Sequence, residues 1–327
     1  MAAYRFKVAA LLVVLLLLVL VHVPGAAASV GDQLPEFHEC IEICKAENCG
    51  PGKPPTPIPL HRRLLLWTCA SECDQTCQRL VTQRRTARGL PVVQFHGKWP
   101  FRRLFGVQEP ASVLFSLGNL WAHAAGLRRL RRRVPAAYPL RPYYVGFGIA
   151  GLVSWVASAV FHTRDFLVTE RLDYFAAGAS VLYGLYYTPL RVFRLVDGGG
   201  GLRHVPKRGS STAAAASFPL LPAWTALCLC LYAAHVGYLT LVRWDYTYNM
   251  AANVVCGVVQ NALWSVFSWR TWRRTRRQWA VWPGLAVAWV TLAMSLELFD
   301  FPPALGVIDA HSLWHLGTIG PTVLWYK

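Results

Sequence analysis

Beyond residue 110 the chain alternates long apolar windows with short polar breaks rich in arginine. Seven windows stand out, at 111–127, 143–163, 172–190, 217–242, 246–269, 278–296 and 307–326. Most are about 20 residues long, enough to cross the hydrocarbon core of a bilayer. Backbone amides inside that core must be satisfied within the segment, so each window predicts a helix. A further apolar run, Val8 to Val21, follows Arg5 and Lys7 and precedes Ala26-Ala27-Ala28. That is the layout of a secretory signal, and the run is short for a spanning helix, which disfavours an uncleaved anchor. The pattern predicts an all-α membrane protein in three parts. These are a signal peptide over 1–28, a luminal segment over 29–110 and a seven-transmembrane helix bundle over 111–327.

The polar breaks assign the orientation. The loops after the first, third and fifth windows hold sixteen arginines and lysines, and the alternate loops hold three. Positive residues stay cytosolic, so the odd-numbered spans run from lumen to cytosol, as the signal also requires. The formal net charge of +17 is therefore mostly topological, and no nucleic acid is expected as a partner. Hydrophobic residues at 54% with only 15% charged exclude disorder and argue against an ordinary cytosolic enzyme. Gly198 to Ala216 reads as a low-complexity cytosolic linker.

Six of nine cysteines, Cys40, Cys44, Cys49, Cys69, Cys73 and Cys77, fall in the expected luminal segment. They predict three disulfides, in any of about fifteen pairings. A zinc ribbon fits less well, because the spacings are C-x3-C. The stretch Pro51 to Pro59 is expected to loop between two helical turns that carry the cysteines. Cys228, Cys230 and Cys256 lie in apolar runs and read as packing residues.

Ionisable groups inside spans are costly and mark function. Ser158 and His162 share one helical face near the end of the second window. Asp173 lies in the first turn of the third, and His311 and His315 open the seventh as H-x3-H. The topology puts all five near the luminal ends of their spans. Three neutral imidazoles at one depth, with one position open, suit a catalytic zinc. Asp173 would then serve as general acid or base or orient a histidine, and Ser158 would donate to an oxyanion or bind substrate. His123 and His235 stand alone in their spans, and His38, His61, His96 and His204 are expected to be exposed. Glu297 and Asp300 read as solvated, Asp309 as an outer-sphere candidate, and Asp245 with Arg243 as a surface pair. Lys98, Arg102 and Arg103 precede the first span, where they would anchor at the interface or touch phosphate.

The pattern Ser158-x3-His162-x10-Asp173 with His311-x3-His315 resembles the CREST superfamily of membrane hydrolases, which includes the alkaline ceramidases and adiponectin-receptor-like proteins. More narrowly, the strings QFHGKWPF (94–101), QEPAS (108–112), VFHTRD (160–165), LDYF (172–175), ELFDFPP (297–303) and DAHSLWH (309–315) are similar to the post-GPI-attachment-to-proteins factor 3 family. This resemblance covers about residues 31–326. It implies seven helices, zinc held by His162, His311 and His315, and catalytic roles for Ser158 and Asp173. It also implies phospholipase A2-like hydrolysis of the sn-2 acyl ester of the GPI lipid on GPI-anchored proteins. The expected location is the Golgi membrane, with the endoplasmic reticulum second. A ceramidase-type amidase, or a seven-helix receptor without hydrolysis, would use the same helices.

Overall fold

The structure, a computed structural model, describes residues 29–50, 58–196 and 220–327. The expected signal peptide, most of the proline-rich loop and the low-complexity linker lie outside these residues.

The cysteine-rich segment forms a small helical cap. A 3-10 turn over Val30–Gln33 leads into α1 (Pro35–Asn48), followed by a short α2 (Leu60–Leu64) and by α3 (Cys69–Ala87). Thr68 starts α3 with a capping box, its hydroxyl accepting the Ser71 amide while Ser71 accepts the Thr68 amide. Cysteines at every fourth residue of α3 share one face. They meet those of α1 in nested order, Cys40–Cys77, Cys44–Cys73 and Cys49–Cys69, with Cα–Cα separations of 5.7, 5.6 and 5.8 Å. First pairs with last because the two helices run antiparallel. The thiols of a zinc ribbon are therefore spent on disulfides. Beneath the bridges, Phe37, Val81, Val93 and Phe95 form the cap's own core.

Among the described residues seven long helices follow, one for each apolar window. They are α4 (Pro110–Arg133), α5 (Arg141–Thr163), α6 (Leu167–Val192), α7 (Leu220–Gly237), α8 (Tyr246–Thr275), α9 (Trp282–Phe299) and α10 (Ala310–Trp325). A π-helical turn, Tyr238–Val242, extends α7. Proline sits in the first turn of α4, α5 and α9, where its missing N–H has no helical partner to lose. Asp245 caps α8 by accepting the Tyr248 amide at 3.0 Å. The expected surface pair is thus corrected: Asp245 is buried, and Arg243 approaches it from outside at 3.5 Å.

Contacts run α4–α5–α6–α8–α9–α10 and back to α4, a closed ring with α7 docked on α6. Aromatic packing fills the end remote from the cap, where Tyr187, Trp264 and Trp325 interlock and Trp264 donates to the Thr188 hydroxyl at 2.8 Å. Small residues let helices approach closely: a side chain at Gly151 would collide with His123, and one at Gly126 with Tyr326. The outer surface carries exposed Leu114, Trp121, Val153, Leu229, Val258 and Leu292, the perimeter of a protein solvated by lipid. Among the described residues four helical stretches are long and apolar enough to cross a membrane: Arg141–Thr163, Leu220–Val242, Tyr246–Thr275 and Gln278–Phe299. Of the other three, α4 ends on Arg131, Arg132 and Arg133, α6 opens with Glu170, Arg171 and Asp173, and α10 has 16 residues.

The cap docks on the bundle end that holds the start of α4, α6, α8 and α10 and the end of α5 and α9. The Gln94 amide and the Trp99 indole grip Asp300 at 2.9 and 2.8 Å, and the Arg102 amide donates to the Gly306 carbonyl at 2.7 Å. Arg103 and Arg164 lie over the ring of Trp67, and Arg103 pairs with Glu72 at 3.0 Å. Arg103 is therefore committed to the cap joint.

Candidate metal centre

Under the cap, α10 begins with a rigid start. Asp309 accepts the Ser312 amide at 2.9 Å, and the Ser312 hydroxyl accepts the Asp309 amide at 2.9 Å. This capping box fixes the first two turns of α10, which carry His311 and His315 on one face. It also corrects Asp309: this residue holds a helix start and makes no hydrogen bond to a histidine among the described residues. His162 comes from the last turn of α5, opposite. The three imidazoles each offer a ligand nitrogen, and these nitrogens lie within 4.8 Å of one another. Ser158, one turn before His162, is buried beside them.

The ring tautomers follow from the acceptors. His162 places Nδ1 2.7 Å from Glu109 Oε2, and His311 places Nδ1 2.7 Å from Glu297 Oε2. A carboxylate can only accept, so each Nδ1 carries the hydrogen. His315 Nδ1 lies 3.3 Å from the Ser112 carbonyl, also acceptor-only, and 3.1 Å from Ser116 Oγ. With the rings neutral, all three Nε2 atoms have lone pairs directed inward. His162 Nε2 and His311 Nε2 are 3.3 Å apart, close enough to share either a proton or a metal cation. Histidines backed by carboxylates or a carbonyl through Nδ1 are the arrangement that metal centres use. The donor set of three imidazoles therefore fits zinc, which in catalytic sites takes three protein ligands and keeps a fourth position open.

The surrounding groups complete the site. Ser116 donates to the Ser112 carbonyl at 2.7 Å, so its oxygen accepts from Ser158, 3.1 Å away. Asn119 donates to the His315 carbonyl at 2.7 Å. Asp173, from the second turn of α6, lies near enough to His162 and His311 to interact electrostatically with both. Its carboxylate makes no hydrogen bond among the described residues. Burial would raise the Glu109 carboxyl, but Lys98 and His162 pull it well below the ordinary carboxylate range.

Ser158, His162, Asp173, His311 and His315 are thus gathered at one end of the bundle. Glu109, Ser112, Ser116 and Asn119 were not anticipated, although the last three recur at helical spacing along the first window, as Ser158 and His162 do along the second. Glu297, expected to be solvated, is the partner of His311. His123 and His235 stay apart from the centre, bonded to Tyr326 and Tyr248. His96 is exposed as expected, and its ring nitrogens lie 3.3 Å from Asp32 and 2.9 Å from Asp74 in the cap.

Fold and site together define a helical membrane protein with a largely buried three-histidine centre, two of whose rings are backed by carboxylates. The chain belongs to the Per1-like family, whose model matches residues 59–327. It is 40% identical over 296 residues to the Protein PER1 homolog of Schizosaccharomyces pombe, covering 90% of this chain and 84% of that one. It is 39% identical over 316 residues to the GPI-specific phospholipase A2-like PGAP3 of Bos taurus, covering 94% and 92%. Post-GPI attachment to proteins factor 3 of Drosophila melanogaster is 37% identical over 313 residues, covering 93% and 89%. No solved structure matches the chain.

Proposed function

We propose that this protein remodels GPI anchors as a zinc-dependent hydrolase, cleaving the sn-2 acyl ester of the lipid on GPI-anchored proteins. The observation that carries this reading is the convergence of three Nε2 lone pairs beside Ser158 and Asp173. The names of the relatives supply the substrate class. All seven long helices span the membrane in this reading, since α4 and α10 sit between α5 and α9 in the ring, and α6 between α5 and α8. The cap is luminal, the membrane is that of the Golgi, and the arginine-rich ends of α4 and α8 face the cytosol. The site then lies just inside the luminal leaflet, where the glycerol esters of a GPI lipid sit.

His162, His311 and His315 would hold the zinc, which when bound supplies Lewis acidity toward an ester carbonyl and acidifies water. Asp173 takes the proton of the attacking water and returns it to the departing glycerol oxygen, releasing a fatty acid and a lyso lipid. Ser158 turns its hydroxyl from Ser116 to the carbonyl oxygen as charge develops there. Ser116, Ser112 and Asn119 hold His315 in register.

An apolar groove of about 400 Å³ opens between α5 and α6, lined by Val153, Val156, Ala157, Val160, Leu172 and Ala176 among others. Ser158 and Asp173 do not line this outer groove, but they belong to the same two helices, so in this reading an acyl chain lies in the groove and its ester passes between α5 and α6 to the reactive groups. Ala157→Trp fills it. The expected result is at least about a tenfold shift in preference toward short sn-2 chains, measured on phosphatidylinositols of graded chain length. An unchanged chain-length profile would place the substrate chain elsewhere.

The test of the whole reading is lipid mass spectrometry of a GPI-anchored reporter in cells lacking the endogenous activity. Expression of this protein is expected to restore loss of the unsaturated sn-2 chain and to leave ceramide unchanged. Hydrolysis of ceramide instead would make it an amidase, and an unaltered reporter lipid in expressing cells would sink the hydrolase reading.

A further inference from the structure

We infer that Lys98, a residue of the cysteine-rich cap, is a positioning residue of the histidine centre, acting on His162 through Glu109. This rests on the zinc reading above and assigns the cap a part in the centre beyond covering it.

The geometry is a relay of charged contacts. Lys98 Nζ lies 2.6 Å from Glu109 Oε1 and 3.0 Å from Asp165 Oδ2, over the face of Phe161 at 3.9 Å. The second Glu109 oxygen receives His162 Nδ1 at 2.7 Å. Side-chain exposure is 22% for Lys98 and 4% for Glu109. A buried carboxylate with one oxygen unpaired would turn toward another donor. That would free the His162 ring to rotate and would turn its Nε2 away from the centre. The ammonium therefore sets where that lone pair points, although it touches neither the centre nor the histidine.

The cap is built to deliver this ammonium. Phe95 and Lys98 close a tight turn, with the Phe95 amide 2.7 Å from the Lys98 carbonyl and the Lys98 amide 2.9 Å from the Phe95 carbonyl. His96 and Gly97 take left-handed backbone between them, at φ 50° and 77°, the geometry of a two-residue hairpin turn. Phe95 before the turn is 1% exposed and packs on Phe37 beneath the disulfides, with ring centroids 4.7 Å apart. Trp99 after it bonds Asp300 on the bundle. The turn is thus pinned to both bodies, and Lys98 projects from it into the joint. Sequence alone placed Lys98 at a membrane interface, and the structure sets it, partly buried, between two carboxylates.

The experiment measures zinc affinity of the purified full chain by chelator competition, for wild type, Lys98→Met, Glu109→Gln and the double variant. Lys98→Met is expected to weaken zinc by about 10–100-fold, the range for outer-sphere partners of a ligating histidine. The double variant should match Glu109→Gln within about twofold, because residues acting through one another are not additive. If Lys98→Met does not fold, its unpaired Glu109 charge is absent from the double variant, and comparing the double with Glu109→Gln still decides. Cobalt-loaded Lys98→Met should show an altered visible spectrum, whereas Arg62→Gln, which removes a cap ion pair with Glu72 away from the Lys98 turn, should not. Wild-type affinity in Lys98→Met, or additive losses in the double, would overturn the inference while leaving the zinc reading intact. A wild-type chain that binds no zinc would overturn both.

Discussion

His311→Ala is expected to abolish zinc retention and with it the remodelling of a GPI-anchored reporter, lowering turnover by more than about a hundredfold, beyond the loss that an outer-sphere partner causes. The ring supplies one of three converging nitrogens, and two imidazoles do not close a structural or catalytic zinc site. The substitution also strands Glu297. Oε2 loses the Nδ1 hydrogen of His311, and among the described residues the carboxylate keeps only the Tyr246 hydroxyl, 2.9 Å from Oε1, so a buried charge is left half-satisfied. His123→Ala is the control, because that ring is a buried histidine of the same bundle that bonds Tyr326 and lies outside the centre. It should cost stability through the cavity it leaves beside Gly151, yet keep its zinc. Zinc content by elemental analysis and reporter lipid by mass spectrometry are the two readouts. A His311→Ala protein that keeps both zinc and activity would mean the histidines are packing residues.

The helices were legible because hydropathy marks the residues that lipid must solvate, but it marks their ends poorly. The first window stops at residue 127, whereas α4 continues to Arg133, since arginine is a good helix former that ends only the apolar run. The third window opens at 172, five residues after α6 begins at Leu167, because Glu170 and Arg171 sit in its first turns. The candidates Ser158, His162, Asp173, His311 and His315 were read from depth, since the expected topology puts each near the same membrane face. Their partners were not. Glu109 precedes Pro110 at a helix start and reads as an end residue, yet it meets His162 across 53 positions of chain. Asp309 and Glu297 both flank the final loop, and sequence favoured Asp309 for its nearness to His311. Helix-capping geometry claims Asp309 for the backbone and leaves the imidazole to Glu297. The disulfide pairing required the relative direction of α1 and α3, which spacing does not carry.

Asp173→Asn is expected to lower kcat by about 10²–10⁴-fold, roughly 3–5 kcal/mol of barrier, while zinc stays bound. Sequence left two roles for this carboxylate, orienting a ligand histidine or carrying a proton. The first role is taken. Glu109, Glu297 and the Ser112–Ser116 pair already hold the three Nδ1 hydrogens, and Asp173 bonds none of them. A carboxylate within electrostatic reach of His162 and His311, free of hydrogen bonds among the described residues, retains its capacity to accept. Asparagine keeps its size and removes that basicity, so the acidic limb of the wild-type pH–rate profile should vanish along with the rate. Ser158→Ala offers the contrast: losing one oxyanion donor costs about 10²–10³-fold but leaves the acidic limb in place. If Asp173→Asn loses zinc in step with activity, the residue belongs to the metal's support and the proton must be carried by another group. If activity is unchanged, Asp173 is a spectator, and the proton transfer falls to a carboxylate that already backs a histidine.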